Sequence, residues 1–203
     1  MIALLLLIHV AAPDDALVSR VDVACAAIDR ALGVTRSSYA LEQADSIETF
    51  LARTGRARFE AAATLRTTIW LQPSSVLDRL PDLDLVLRHE CVHAILRARG
   101  VPPLDVVLEE AVALELSGQA SKLPPARAIG PEAHDAIAVV LRSPKDRLIF
   151  EAAVARAAAT HGAQIRAWIK EGALISALSR QSGSARRSPA APSPSGSAPR
   201  PPR

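Results

Sequence analysis

The sequence predicts an α+β fold: one domain with a small N-terminal sheet, a long central helix and a helical C-terminal part. Three observations predict it. The 203 residues suit a single domain, and with 49% of them hydrophobic the chain can bury a sizeable core. The run richest in β-branched and aromatic residues lies just before Pro73. After Pro81, apolar residues recur at helical spacing in segments rich in Ala and Leu. Mixed strands and helices followed by helices alone is the order of an α+β domain.

The elements follow along the chain. From about Asp14 to Leu32, the apolar residues Leu17, Val21, Val23, Ala24, Ala27, Ile28 and Leu32 recur at helical spacing, with Asp14 or Asp15 as cap and Gly33 as stop. Ser37 to Glu42 reads as a short strand. Asp45 to Ala52 reads as a helix capped by Asp45 or Ser46 and stopping near Gly55. Ala61 to Gln72 reads as extended, most strongly at Thr67-Thr-Ile-Trp-Leu-Gln72, and Pro73 closes it. Pro81-Asp-Leu-Asp opens a helix to about Arg99, with Gly100 as its stop. Pro102-Pro103 starts another, to about Ser117-Gly118. After a loop containing Pro124, Pro125, Gly130 and Pro131, two more helices are expected, over about Glu132 to Leu141 and Lys145 to Ile175.

The two ends differ from the middle. From Ser182 the composition turns to Ser, Pro, Ala, Gly and Arg, which cannot bury a core, so residues 182–203 read as a disordered tail. That tail holds Arg186, Arg187, Arg200 and Arg203 and no acid; without it the net charge of +3 becomes roughly −1, which argues against nucleic acid as a partner. Residues 1–12 form an apolar run too short to span a bilayer, with small residues at Val10-Ala-Ala12. They resemble a signal peptide that lacks the usual basic start. Export to a periplasmic or secreted location is expected, and a cytoplasmic one if the run is not a signal. The domain between the ends is expected over 13–178. Cys25 and Cys91 are too few for a disulfide framework and read as small buried hydrophobes rather than a bridge.

The chemistry concentrates in Leu87-Arg-His89-Glu90-Cys-Val-His93-Ala-Ile-Leu96. His89 and His93, four apart on a helix, put both imidazoles on one face, one turn apart, where they can share one Zn²⁺. Glu90 lies at the edge of that face, within reach of a metal-bound water. The pattern H-E-x-x-H therefore carries a mechanism: two metal ligands and a general base. A catalytic zinc takes three protein ligands and keeps one position open. The third should come from Leu108-Glu109-Glu110-Ala111, because the short connection at Gly100 to Pro103 turns the next helix back alongside the first. Glu109 and Glu110 differ by about 100° around that helix, so only one is expected to point inward, and spacing alone does not choose between them. Two solvent-exposed acids near a helix start is the alternative.

The stretch from Leu87 to Leu116 resembles the peptidase MA-like gluzincins, relatives of thermolysin. Their pattern is H-E-x-x-H, a Pro-containing turn, then Trp-Leu-x-Glu-Gly-x-Ala, which stands here as Val107-Leu108-Glu109-Glu110-Ala111-Val112-Ala113. The resemblance implies that Glu110 is the third zinc ligand and Glu109 the variable position. It extends to Thr67–Gln72, similar to the edge strand that pairs with a peptide substrate, a run that reads equally as a sheet member with Trp70 in the core, and to Phe150–Gly162, similar to a helix ending in Tyr-Gly. In all it covers about Ser38 to Gly172, and it implies a minimal zincin-like domain. The sequence departs from the family where Val107 and Ala111 replace its Trp and Gly. Leu114 stands where an acid often orients a histidine, and Phe150 stands where a tyrosine is common. The transition-state stabiliser is therefore unassigned, with His134 and His161 as candidates by chemistry.

The function expected is that of a zinc metallopeptidase: hydrolysis of a peptide or protein substrate, with zinc on His89, His93 and Glu110 and with Glu90 as general base. The competing class is a catalytically degenerate zinc-binding domain that holds a peptide or protein partner, for which Leu114 and Phe150 speak. A third reading is a helical protein in which the motif is coincidental.

Overall fold

A computed structural model describes residues 10–11, 13–56, 60–104, 106–122 and 144–185. The elements are β1 (Val10–Ala11), α1 (Asp15–Ala31), β2 (Ala40–Ala44), α2 (Ile47–Thr54), β3 (Ala62–Leu65), β4 (Thr68–Leu71), α3 (Ser74–Leu77), α4 (Leu83–Ala98), α5 (Val106–Ser117), α6 (Pro144–Lys170) and α7 (Leu174–Ala185). A 3-10 turn, Gln119–Lys122, follows α5. The fold is α+β. Among the described residues no helix is long and apolar enough to cross a membrane.

Local chemistry sets the element ends. Asp14 caps α1 by accepting from the Leu17 amide at 2.7 Å, and Ser46 caps α2 through the Thr49 amide at 3.1 Å. The helix α4 ends in a double closure: Gly100 donates to the Arg97 carbonyl and Val101 to the Leu96 carbonyl. That closure needs φ of +71° at position 100, which glycine adopts without strain.

The sheet has the order β1-β2-β4-β3. β2 runs parallel to β4, and β1 and β3 pair antiparallel with their neighbours. The stretch expected to be one extended run, Ala61 to Gln72, is a hairpin. The chain reverses at Arg66, whose φ is +59°, so the run folds back on itself. One consequence decides between the two readings of Thr67–Gln72. Thr67–Gln72 does not form an edge: β4 lies between β2 and β3, and the outer strands are β1 and β3. The alternation along β4 divides the sheet's two faces. Ile69 and Leu71 join the main core, while half-buried Trp70 packs with Phe50 and Leu51 of α2. Its ring lies 5.9 Å from the Arg53 guanidinium carbon. The register pairs Thr64 with Ile69, and so turns Thr64 toward the main-core face.

On that face lies α4, enclosed by α1, α5 and the sheet. Leu83, Leu87, Cys91, Val92, Ala94, Ile95 and Leu96 are all buried, so the helix is apolar around most of its circumference. Each Leu or Ile so covered contributes about 1.5–3 kcal/mol. α5 is sandwiched in turn between α4 and α6.

Cys25 on α1 and Cys91 on α4 form a disulfide, with Cα atoms 5.0 Å apart. The expectation of two unlinked buried cysteines is corrected. Both are buried as expected, at 1% and 0% exposure, but the packing of α1 on α4 sets them side by side. Two cysteines too few for a framework still suffice for one bridge across two packed helices.

The C-terminal helices also differ from expectation. A single helix over Lys145–Ile175 is instead α6 and α7, parted by a turn at Glu171–Gly172, where Gly172 has φ of +63°. The backbone of α7 runs to Ala185, four residues into the segment read as tail. The helix expected over Glu132–Leu141, the remainder of that tail (186–203), and residues 1–9 and 12 of the apolar N-terminal run lie outside the described residues.

Candidate metal centre

His89 and His93 lie one turn apart on α4, and α5 packs against that face. Their Nε2 atoms are 3.1 Å apart. Glu110 on α5 closes the triangle, with Oε2 at 3.1 Å from His89 Nε2 and Oε1 at 3.6 Å from His93 Nε2. Three ligating atoms, one from each residue, lie within 4.8 Å of one another. Ligands about 2.0–2.1 Å from a tetrahedral zinc sit about 3.3–3.4 Å from each other. The separation of the imidazoles and the contacts of the two Glu110 oxygens, one with each ring, straddle that value, and two imidazoles with a carboxylate are a donor set that zinc takes.

The outer nitrogens strengthen the case. His89 Nδ1 lies 2.9 Å from Gln119 Oε1 and His93 Nδ1 lies 3.0 Å from Glu109 Oε1. Both partners are acceptors, so each Nδ1 carries a hydrogen, and a ring holding only that one turns its Nε2 lone pair inward. Two lone pairs and a carboxylate then face one another at about 3 Å, an arrangement that demands a positive charge between them. A metal ion or a proton would meet that demand.

Titration behaviour agrees. Burial works against charging His93, but its hydrogen bond to Glu109 and the carboxylates of Glu110, Glu90 and Glu109 outweigh it and push its pKa up to about 9. Burial would raise Glu110, but the hydrogen bond and charge of His89, then the charges of His93 and Arg56, bring it down to about 2. Glu109 is likewise lowered: burial is outweighed by His93 and Arg97.

Sequence spacing left Glu109 and Glu110 open and allowed only one to point inward. The structure turns both toward the histidines. Glu110 meets the inner nitrogens, and Glu109, 9% exposed, meets an outer one. The imidazole of His93 accommodates the angular difference between them, because its two nitrogens face different ways. Arg97, one turn beyond His93, ion-pairs with Glu109 Oε2 and donates to the Val101 and Pro102 carbonyls at 3.2 and 3.3 Å. It therefore fixes Glu109 and the α4–α5 connection together.

Glu90 is buried at 9% exposure and sits under the outer strand. Thr64 Oγ1 is 2.8 Å from its Oε2 and 3.0 Å from its carbonyl oxygen. The site is not sealed: the side chains of His89, His93 and Glu110 keep 15%, 13% and 17% exposure, enough for water and a small group to enter.

Sequence reasoning missed Gln119 and Thr64, and placed Glu109 as a variable position. Glu109 had a signal, a second acid beside the third ligand; Gln119 and Thr64 had none local to the motif. Leu114, at the position expected for a histidine-orienting acid, is buried against Val154 and Ala158 of α6. Glu115 pairs with Arg166 at 2.6 Å. Of the candidate stabilisers, His161 lies half-buried on α6 and His134 lies outside the described residues. Tyr39 donates to Asp22 of α1. It lines a cavity of about 630 Å³ with Asp22, Asp29 and Arg36, which includes none of His89, Glu90, His93 or Glu110.

No family model, curated protein or solved structure matches this chain.

Proposed function

We propose that this chain is a zinc-dependent hydrolase of the gluzincin type that cleaves peptide bonds. The observation that carries the reading is the convergence of His89 Nε2, His93 Nε2 and Glu110 at separations of 3.1, 3.1 and 3.6 Å, with both outer nitrogens held by acceptors. Three protein ligands on adjacent helices leave a fourth position, as catalytic rather than structural zinc sites do. Zinc bound there would polarise the scissile carbonyl and acidify a coordinated water.

The protein's own groups do the rest. His89 and His93 present neutral Nε2 atoms because Gln119 and Glu109 hold their Nδ1 hydrogens. Glu90, one residue from His89, takes a proton from the attacking water on its carboxylate and delivers it to the leaving amine. The outer strand β3 lies beside α4, and the side on which no described strand pairs with it can take an extended peptide by strand addition, which holds a backbone without reading its side chains.

The Cys25–Cys91 bridge supports an oxidising location, periplasmic or secreted, since cytosolic thiols are kept reduced. A catalytically degenerate zinc domain is the second reading, favoured by Leu114 packing as a hydrophobe and by Tyr39 being engaged by Asp22.

The test is hydrolysis of fluorescein-labelled casein by the zinc-loaded full chain. Turnover in the parent and a loss of at least about 100-fold in Glu90→Gln, with zinc retained, support the peptidase. Zinc uptake with no cleavage in either would favour the degenerate domain.

A further inference from the structure

We propose that Thr64 is the positioning residue of the general base, tying the substrate-side strand β3 to the carboxylate of Glu90. The inference rests on the hydrolase reading above. Register places Thr64 opposite Ile69, on the sheet face that covers α4. Its hydroxyl lies 2.8 Å from Glu90 Oε2 and 3.0 Å from the Glu90 carbonyl. A hydroxyl has one hydrogen, and a carboxylate oxygen is the stronger acceptor at the shorter distance, so the hydrogen goes to Oε2. The contact fixes the rotation of the carboxylate and leaves Oε1 for proton transfer; among the described residues no hydrogen bond engages that oxygen.

The same contact ties catalysis to the strand. β3 is the outer strand on the α4 side of the hairpin, with β1 at the opposite edge, so the backbone that would receive a peptide and the side chain that holds the base belong to one residue. Among the described residues Thr64 makes no hydrogen bond to His89, His93 or Glu110. Its loss should therefore spare metal uptake and spoil the base's orientation. A positioned general base is worth about 10²–10⁴-fold, so losing a group that only orients it should cost less, about 10–100-fold.

The experiment compares Thr64→Val, which keeps the shape and removes the hydroxyl, with Thr64→Ser, which keeps the hydroxyl, beside Glu90→Gln. Each full-length variant is checked for folding by thermal melt, then loaded with zinc or cobalt. The first readout is the visible absorption of the cobalt-loaded protein, which senses how the base addresses the open coordination position and needs no substrate. The second is kcat and KM on fluorescein-labelled casein. Thr64→Val should hold one metal per chain, shift the cobalt spectrum in the same direction as Glu90→Gln, and lose about 10–100-fold in kcat with little change in KM. Thr64→Ser should restore most of both. A Thr64→Val protein with parental spectrum and kcat, beside a defective Glu90→Gln, overturns the role of Thr64 alone. Thr64→Ser as poor as Thr64→Val would assign the effect to packing and overturn it equally. A parent that takes up cobalt but cleaves nothing, with a Glu90→Gln spectrum identical to its own, overturns the hydrolase reading and the proposal with it.

Discussion

Zinc should enter this site by displacing a proton. In the metal-free protein His93 has its pKa pushed up to about 9, chiefly by Glu109, Glu110 and Glu90, so near pH 7 it is charged. Zinc binds neutral imidazole, so uptake must release that proton. Below pH 9 each unit of acidification should weaken binding tenfold; from pH 8.5 to 7.0 the loss is about 30-fold, or about 2 kcal/mol. Calorimetric titration at pH 7 in two buffers of different ionisation enthalpy counts the proton, and a competing chelator measures Kd across the pH range. About one proton per zinc and a tenfold slope are expected. A Kd flat between pH 7 and 8.5, with no proton released, would refute the electrostatic reasoning.

The same shift predicts stability without metal. His93 is raised from an ordinary 6.5, so its contribution is fully present below pH 6.5 and is lost as pH rises through about 9. At 1.36 kcal/mol per unit that is about 3 kcal/mol, and it is shared with Glu110 rather than additional to it. Glu110, lowered from 4.5, contributes above pH 4.5 and loses its contribution as pH falls through about 2. The metal-free chain should therefore melt at lower temperature at pH 9.5 than at pH 6.5, whereas the zinc-loaded chain should not follow that curve.

Three further outcomes are expected. Glu110→Ala should weaken zinc more than Glu109→Ala, which should cost about 10–100-fold by loosening His93; the reverse order, read by chelator competition, would exchange their roles. Cys25→Ala with Cys91→Ala should lower stability by roughly 4 kcal/mol, because the bridge closes 66 residues of chain; an unchanged urea midpoint would show that α1 and α4 hold without it. Gly162→Ala should leave stability within about 1 kcal/mol of the parent, since the added Cβ meets only the movable ends of the Glu115 and Arg166 side chains and alanine favours the helix; a melting temperature lowered by many degrees would mean that this ion pair is held rigidly.

The motif was legible because its geometry is local. Positions 89 and 93 share a helix face whatever the rest of the chain does, and helix periodicity with Gly100 located that helix to within a few residues. The turn at Gly100–Pro103 was enough to bring α5 back. What escaped reading depends on contacts between distant segments. Glu109 looked redundant because helical angle was counted without the width of an imidazole. Gln119 reaches His89 only because the chain turns at Gly118, where φ is +85°, directly after α5. The Cys25–Cys91 bridge required knowing that α1 packs on α4. The outer position of β3 turned on one reversal at Arg66, in a segment whose composition reads as extended throughout.

The central claim is that His89, His93 and Glu110 form one metal site. Zinc content of the purified full-length chain, counted by mass spectrometry beside His93→Ala, tests it most directly. About one zinc per parent chain and little in the variant is the result expected. A parent that holds no zinc even after reconstitution, or a variant that holds as much as the parent, would contradict it.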